Sequence, residues 1–335
     1  MISAMQIACD ESGSEGENLT DSTSQVLSHA SVNVQPDEAA SLVKAIRALT
    51  TSTGDELKSR LFLGKAKTDR AVWFLEQLEG KGAVNITDKR YFVSAKIIAL
   101  LVEPVMRARG EWLYEDGRAH RIAELLYRSG SGLGSSVLDG LLNAFNILVR
   151  IDRSEIAVGR SDRFFEKVRE ARAATSPGSL RSVLGLIATG EEYGREIEND
   201  HSPVFARFLD MDPLLSSVAA TAKYWSLRTE GPMELIHDET SALTPERVEL
   251  IVNGLNEPHP AIAALSAPIR LRSITLVKSH FDDRVQLADI LAGIVNSVAI
   301  AALRGEDHPL EGRIGRFIDP ESMWCDQVSW DRIYT

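Results

Sequence analysis

The sequence contains little cysteine and no long apolar run. Its 335 residues include two cysteines, Cys9 and Cys325, at opposite ends of the chain. Two distant cysteines argue against a disulfide framework, and no paired Cys and His spacing indicates a structural zinc site. No apolar run approaches the roughly 20 residues of a membrane span, and residues 1–6 lack the basic flank of a signal peptide. We therefore expect a cytoplasmic protein that does not enter a membrane.

Positive charge is scarce relative to negative charge. There are 37 Lys and Arg residues against 48 Asp and Glu residues, which gives a formal net charge of -11. This balance argues against a protein that coats nucleic acid nonspecifically, because such binding uses a basic surface. It does not exclude a nuclease, since bound Mg²⁺ would partly neutralise clustered carboxylates. The 44% hydrophobic content is ordinary for a globular protein, and the length suits one large domain or a domain with an insertion.

Strand patterns occur near both ends of the sequence, and helical patterns fill the middle. We predict strands at 5–9, 24–34, 83–87, 233–236 and 274–277, with the second antiparallel to the first. We predict helices capped by Asp37 and by Thr244, a helix at 68–78, another at 285–303, and an almost entirely helical stretch from 93 to 227. This order predicts an α/β fold: a mixed sheet flanked by helices, with a large all-helical insertion. Its core would comprise residues 1–95 and 230–305, its insertion 96–229, and 306–335 would be a tail packed on the core.

Acidic residues follow two of the predicted strands and occur in the last long helix. They are the pairs Asp10-Glu11 and Asp238-Glu239, the helical Asp289, and Asp282-Asp283 just before that helix. If the two strands are neighbours, Asp10 and Asp238 lie side by side at one sheet edge. Carboxylate oxygens from separate elements are the ligands that Mg²⁺ and Mn²⁺ prefer, and two such ions can promote phosphodiester cleavage. The alternative for each acid taken alone is a solvated turn or a helix cap.

Asp289 is the acid that a surface role explains least well. It lies within residues 285–293, where the helix is apolar nearly all round and is therefore predicted to be buried. Burying an unpaired carboxylate is costly, so Asp289 should have a partner. Both a metal ion and an Arg or Lys side chain satisfy this requirement.

Three motifs together resemble the domain of unknown function 3800 family. They are Asp10-Glu11-Ser12-Gly13 after the first strand, His237-Asp238-Glu239 after a later strand, and the helical sequence QLADILAG at residues 286–293. That family is similar to the RNase H superfamily in predicted fold. The resemblance covers roughly residues 5–95 and 230–305, implies an RNase H-like core there, and says little about the helical middle.

The resemblance also implies roles for individual residues. Asp10, Asp238 and Asp289 correspond to core metal ligands. Lys58 and Lys89 look like recurrent lysines near the sheet edge, where a lysine could hold a scissile phosphate or a catalytic water; the alternative for each is a solvated surface residue. Auxiliary acids would be Glu11, Glu239 and Asp282 or Asp283.

The implied function is that of a metal-dependent nuclease. Mg²⁺ or Mn²⁺ held by Asp10, Asp238 and Asp289 would activate water to hydrolyse a phosphodiester in RNA or DNA. The catalytic acid Glu11 or the further metal ligand Glu239 would complete the shell, and Lys58 would neutralise developing charge. One alternative is a non-catalytic interaction or regulatory protein that keeps the RNase H-like fold. Another is a metal-dependent phosphohydrolase that acts on nucleotides.

Two further segments suggest possible partners. The segment from Arg150 to Arg181 carries eight basic and five acidic residues, against an acidic average, and is a candidate phosphate-contacting face. A solvated helix with i,i+4 ion pairs explains the same composition. The apolar helix over Ile290–Leu303 could pack internally or form a homodimer interface.

Overall fold

The protein divides into two compact units, each described by itself here. The computed structural model describes residues 4–52, 54, 56–129, 135–150, 159–199, 211–229, 231–256 and 269–334. Unit 1 comprises Met1–Ser14, Val26–Thr87 and Leu214–Thr335, and unit 2 comprises Glu15–Gln25 and Asp88–Pro213. Unit 1 contains the strands that the sequence predicted near both ends of the chain, and unit 2 is built from helices.

A five-stranded mixed sheet forms the centre of unit 1. Its strand order is β3-β2-β1-β4-β5. The first two strands pair antiparallel, whereas the first pairs parallel with the fourth and the fourth parallel with the fifth. The prediction of a mixed α/β sheet is therefore confirmed. The strands are β1 (Met5–Ser12), β2 (Val26–Val32), β3 (Gly82–Asp88), β4 (Met233–Asp238) and β5 (Leu271–Val277).

Helices cover both faces of this sheet and make up unit 2. Those of unit 1 are α1 (Pro36–Thr50), α2 (Thr68–Gln77), α10 (Pro213–Ser226), α11 (Pro245–Asn256), α12 (Asp283–Leu303) and α13 (Gln327–Tyr334). Those of unit 2 are α3 (Lys89–Ile97), α4 (Glu103–Ala108), α5 (Arg118–Ser129), α6 (Ser135–Val149), α7 (Arg160–Ala174), α8 (Ser179–Ala188) and α9 (Glu191–Asn199).

Alternate residues of the central strands enter two different apolar cores. Ala8 and Ile236 belong to one cluster, together with side chains of α1 and α12. Ile7 and Leu235 belong to the other, together with side chains of α10 and α11. Successive side chains of a strand point to opposite faces, so each central strand contributes to both cores. The helices on the two faces are therefore part of one sandwich around the sheet.

The helix α12 is the main support of the first face. It is long and apolar enough to cross a membrane by length and composition, but 83% of its apolar window is buried inside the structure. Its apolar residues, from Val285 to Ala302, pack in the core with the sheet and α1. The internal-packing interpretation of Ile290–Leu303 is therefore confirmed.

Three details differ from the sequence-based expectations. The strand β1 continues to Ser12, so Asp10 and Glu11 lie within it, because it is paired with β2 as far as Ser12. Asp37 does not cap α1: the N-cap is Gln35, and Asp37 lies in the first turn, where its charge favours the helix N-terminus. The tail after residue 304 contains a helix, α13, whose short length left little periodicity to detect.

Unit 2 contains the basic segment Arg150–Arg181. Within Arg150–Arg181, residues 151–158 lie outside the described residues. On α7, Lys167 pairs with Glu170 at 2.7 Å, and Arg169 lies 3.8 Å from Glu191. These contacts fit the ion-pair interpretation of that helix, and the phosphate-contacting role stays a prediction.

The glycine at position 293 of α12 permits a close approach that any side chain would block. A Cβ atom there would overlap both Cβ and Oγ of Ser59. We predict that Gly293→Ala lowers the free energy of unfolding by about 1–3 kcal/mol, because overpacking forces the neighbouring segment away. Chemical denaturation measures the change.

The matched control is Gly254→Ala in α11, where a new Cβ meets no atom within 4 Å. Alanine favours a helix interior by about 1 kcal/mol over glycine, so this control should be neutral or stabilising. Equal stability of the Gly293→Ala protein and the wild type would contradict the packing argument.

Candidate metal centre in unit 1

Two acids lie side by side on adjacent parallel strands. Cys9 of β1 is in register with His237 of β4, so the next residues, Asp10 and Asp238, face each other across the strand pair. By the alternation of side chains, both lie on the sheet face that α12 covers. The expectation that the two strands are neighbours is confirmed.

The third acid reaches the same face from α12. The side chain of Arg284 at the start of this helix donates to Gln6 Oε1 at 3.0 Å, and Asn296 near its end donates to the carbonyl of Ser12 at 3.2 Å. The helix therefore runs along β1 in the same direction, and Asp289 lies between these two anchors. Its negative charge also raises the pKa of Asp10, so the two carboxyl groups influence each other electrostatically.

A lysine from the loop before α2 pairs with the helical acid. Lys58 Nζ lies 3.0 Å from Asp289 Oδ2 and 3.1 Å from Glu56 Oε2. The amide of Leu57 donates to Gln286 Oε1 at 3.2 Å and ties this loop to α12. The loop is therefore fixed on both sides of Lys58, by Leu57 and by the close approach of Ser59 to the helix. Asp289 is only partly buried, with its side chain 15% exposed, and the partner that the sequence required for it is Lys58.

A serine links the lysine loop to the strand acids. Ser279 donates its hydroxyl to Glu56 Oε1 at 2.9 Å and its amide to Asp238 Oδ1 at 2.8 Å. Contacts therefore run continuously from Asp289 through Lys58, Glu56 and Ser279 to Asp238. The sequence analysis gave Glu56 no role; its only signal was its position two residues before Lys58.

Burial and mutual repulsion raise the pKa values of two acids in this cluster. Asp10 is 6% exposed, and its pKa is well above the ordinary value because of burial and of the negative charges of Glu11, Asp289 and Asp238. Burial also raises the pKa of Asp289, aided by Asp238 and Glu56 and opposed by Lys58. The site is therefore short of positive charge.

Lys58 remains a cation in this environment. Burial disfavours its charged form, but the contacts with Asp289 and Glu56 outweigh burial and hold its pKa above the ordinary value. Glu56, in turn, has a pKa lowered by its hydrogen bonds with Lys58 and Ser279. The ammonium group of Lys58 therefore pairs with two carboxylates, those of Asp289 and Glu56. Neither Asp10 nor Asp238 lies within ion-pair distance of it.

Glu11 belongs to the opposite face of the sheet. Its Oε2 lies 3.7 Å from Nε2 of buried His237, and its strand neighbour Asp10 points the other way. His237 Nε2 lies 3.1 Å from His29 Nε2, and His29 Nδ1 lies 2.8 Å from the hydroxyl of Thr221. Glu11 therefore influences Asp10 through its charge, and its carboxylate lies in a histidine network on the other face.

The tautomers in this network follow from its one fixed acceptor. His237 Nδ1 lies 2.9 Å from the carbonyl of Asp238, which can only accept, so Nδ1 carries the proton. Nε2 of the neutral ring then accepts from His29 Nε2, and His29 Nδ1 accepts from Thr221. Burial lowers the pKa of both histidines, which agrees with neutral rings. The sequence motif included His237 but gave no indication of its partner, His29.

The remaining residues predicted for the site lie outside the carboxylate cluster. Glu239 is exposed, and its amide donates to the carbonyl of Val277 at 2.9 Å. Asp282 caps α12 and pairs with Arg284 at 2.6 Å, whereas Asp283 accepts a 3.3 Å hydrogen bond from Gln286. The auxiliary role of these three acids stays a prediction.

Lys89 is buried within unit 2. It is 1% exposed, its ammonium nitrogen has no hydrogen-bond partner among the residues that the structure describes, and burial lowers its pKa to about 8. The alternative of a solvated surface lysine is therefore wrong for Lys89. Glu15 and Asp212 of the same unit favour its charged form.

The donor set suits a hard divalent cation, although the side chains do not enclose one. Across the described residues, no group of three or more His, Cys, Asp and Glu side chains is arranged to hold a metal ion. The chemistry nevertheless fits Mg²⁺ or Mn²⁺, because Asp10, Asp238 and Asp289 offer only carboxylate oxygens, and the charge of Asp238 raises the pKa of both Asp10 and Asp289. A cation would offset both the cost of burying the Asp10 carboxylate and its repulsion by the neighbouring acids.

Replacing Asp10 with asparagine should stabilise the protein at neutral pH. The folded-state pKa of Asp10 is raised, so this carboxyl costs stability from the unfolded-state pKa upward, and the cost is complete above the folded-state pKa. We predict a gain in the free energy of unfolding near pH 7 of about 1.4 kcal/mol for each unit of pKa shift. The gain should shrink as the pH falls and vanish below the unfolded-state pKa of about 3.9. Denaturation at several pH values measures it.

Glu249→Gln on α11 is the matched control, because Glu249 is exposed and the substitution removes the same charge. Its effect on stability should be small and should not follow the pH profile of Asp10→Asn. A loss of stability at pH 7 in Asp10→Asn, or a gain that persists unchanged at pH 3, would contradict the burial of an unfavourable charge.

No family model, no curated protein and no solved structure matches this chain. The function therefore has to be argued from the arrangement of its own side chains. The features that bear on chemistry are three carboxylates on one sheet face and the lysine that contacts one of them.

Proposed function

We propose that this protein is a metal-dependent nuclease with an RNase H-like core, related to the domain of unknown function 3800 family. The observation that carries the proposal is the convergence of Asp10, Asp238 and Asp289 from β1, β4 and α12 on one sheet face. These residues come from the three motifs of that resemblance. The mixed sheet with helices on both faces supports the same proposal.

The carboxylates would hold Mg²⁺ or Mn²⁺. The metal, when bound, would polarise a phosphoryl oxygen and lower the pKa of a water ligand. Asp10 Oδ1 accepts the amide of Glu11 at 2.7 Å, which fixes the orientation of this carboxyl group and leaves Oδ2 to act as a ligand. Asp238 is oriented in the same way by the amide of Ser279. The chain therefore preorganises two ligands through backbone donors.

Lys58 would act through its charge. Its pKa is raised, so it stays protonated at neutral pH and cannot take a proton from water. An ammonium group beside the carboxylates can instead contact a phosphate oxygen and stabilise the negative charge that develops during cleavage. Its side chain is 41% exposed, so a substrate could reach it.

The cellular setting of the proposal follows the chemistry of the chain. The sequence has only two cysteines, Cys9 and Cys325, at opposite ends of the chain, and such sparse cysteine suits the reducing cytoplasm, where nucleic acids and Mg²⁺ are available. We propose the cytoplasm as the location and RNA or DNA as the partner. The basic residues of α7 remain the proposed site of additional phosphate contacts.

Removing a core carboxylate should abolish the reaction without unfolding the protein. We predict that Asp10→Asn and Asp289→Asn each eliminate Mg²⁺- or Mn²⁺-dependent cleavage, because each removes a charged ligand. The assay compares single-stranded, double-stranded and hybrid substrates with free nucleotides, and circular dichroism confirms folding. Calorimetric titration with Mn²⁺ should show binding to the wild type and none to Asp238→Asn.

Glu249→Gln again serves as the control and should retain both cleavage and Mn²⁺ binding. Wild-type rates in both aspartate variants would rule out the proposed mechanism. Hydrolysis of free nucleotides without cleavage of polymers would replace the nuclease proposal with the phosphohydrolase alternative.

The ion pair between Lys58 and Asp289 favours a second candidate function. This contact places a positive charge 3.0 Å from the partly buried carboxylate without any metal, as expected of a non-catalytic interaction or regulatory protein that retains the fold. The two candidates differ in what Lys58 does: it acts on substrate in one and only neutralises Asp289 in the other.

Replacing Lys58 with methionine separates these candidates. Methionine keeps much of the apolar stem and removes the charge that competes with a cation for Asp289. For the nuclease, we predict that Lys58→Met binds Mn²⁺ at least as tightly as the wild type and loses about 100-fold in kcat. Calorimetry and cleavage rates measure the two effects. Lower stability, with no Mn²⁺ binding in either protein, would favour the non-catalytic candidate.

A further inference from the structure

One phenylalanine breaks the pattern followed by the others. Of the eight phenylalanines that the structure describes, seven are at most 3% exposed, whereas Phe281 is 79% exposed. Burying such a side chain is worth about 1.5–3 kcal/mol, so the exposed position of Phe281 does not serve stability. The residue lies in the 3₁₀ turn Ser279–Phe281, between β5 and α12.

This turn is held firmly beside the carboxylate cluster. Ser279 contacts both Asp238 and Glu56, at 2.8 and 2.9 Å. The amide of Phe281 donates to the carbonyl of Lys278 at 2.9 Å, and Asp282, directly after the turn, caps α12. Two residues of chain span at most about 7 Å, so Phe281 projects from a fixed turn within one nucleotide's reach of the acids.

The neighbours of this ring suit a nucleic acid. The ring of His280 contacts that of Phe281, with centroids 3.9 Å apart, and His280 Nδ1 lies 4.0 Å from Glu56 Oε1. Lys278 and His280 are both exposed. We call Lys278, His280 and Phe281 the Phe281 platform. It presents an aromatic face together with a cation, the combination by which proteins bind single strands through bases and phosphates.

We propose that the Phe281 platform stacks on an unpaired base of a single-stranded nucleic acid whose backbone passes the carboxylate cluster. This inference rests on the proposed nuclease function and specifies its substrate class. Bases in a duplex are already stacked on both faces, so a single exposed ring gains little from them. An unpaired base next to the scissile phosphate can lie against Phe281, while Lys278 contacts the adjoining backbone.

Binding without cleavage tests the inference directly. The experiment uses the full chain carrying Asp289→Asn, with fluorescein-labelled 12-nucleotide dT and U single strands and a matched duplex, and measures Kd by anisotropy. Phe281→Ala should weaken single-strand binding roughly 5- to 150-fold, which corresponds to about 1–3 kcal/mol for one stacked base. Phe281→Trp should bind as tightly as the parent or more tightly, and duplex binding should change less than about twofold in both variants.

Val328→Ala is the matched control, because Val328 is 73% exposed and lies in α13, outside the platform. It should leave single-strand binding unchanged. The inference is overturned by a parent chain that binds no single strand, by parent-like binding of Phe281→Ala, or by equal losses on duplex and single strand. A Phe281 effect on self-association alone would also overturn it, by assigning the ring to a protein interface.

The Mn²⁺ titration keeps this failure distinct from failure of the nuclease proposal. If metal binding and cleavage persist unchanged in Phe281→Ala, the platform proposal is wrong and the nuclease proposal stands. If a chain that binds no Mn²⁺ still binds single strands through Phe281, the platform proposal stands and the nuclease proposal is wrong.

Discussion

The parallel pairing of β1 with β4 is the constraint on which the rest of unit 1 depends. It sets Asp10 opposite Asp238 on the face that α12 covers, and Asp10 is buried there. Burial and the negative charges of Glu11, Asp289 and Asp238 raise the pKa of Asp10, so this carboxyl group resists ionisation. A fold selected for stability alone would place apolar residues there, such as Ala8 and Ile236, which lie two residues earlier on the same strands and on the same face. The cost of burying charge at this point is therefore the strongest physical indication that the cluster has a function.

The types of the main elements and their order along the chain could be predicted from the sequence because they follow local periodicity. Alternation along β2 and the apolar repeat of α12 depend only on which side chains face a core. The ends were less predictable: β1 extends past Asp10 because β2 pairs with it there, which is a tertiary effect. The tail helix α13 was missed because eight residues with Ile333 as a buried anchor carry too little pattern.

The acids of the site were found because their residue types are unusual at buried positions, but their grouping needed the structure. Adjacent residues of a strand face opposite ways, so the consecutive acids Asp10 and Glu11 cannot both point at one ion from an extended chain. The Glu11 side chain lies with His237 instead. Glu56 and His29 were invisible for a different reason: they are defined by contacts with Ser279 and His237, more than 200 residues away along the chain.

The segment from Ser279 to Asp282 combines a turn that holds the acids with an exposed aromatic side chain. Ser279 holds Asp238 and Glu56, and Asp282 begins the helix that carries Asp289. The turn therefore fixes the acids whatever residue occupies its outer position. Phe281 fills that position without a burial benefit, in a turn that is held by hydrogen bonds. A rigid turn limits the entropy lost when a ligand orders the ring, so an aromatic side chain there gains more from stacking than it would on a mobile loop.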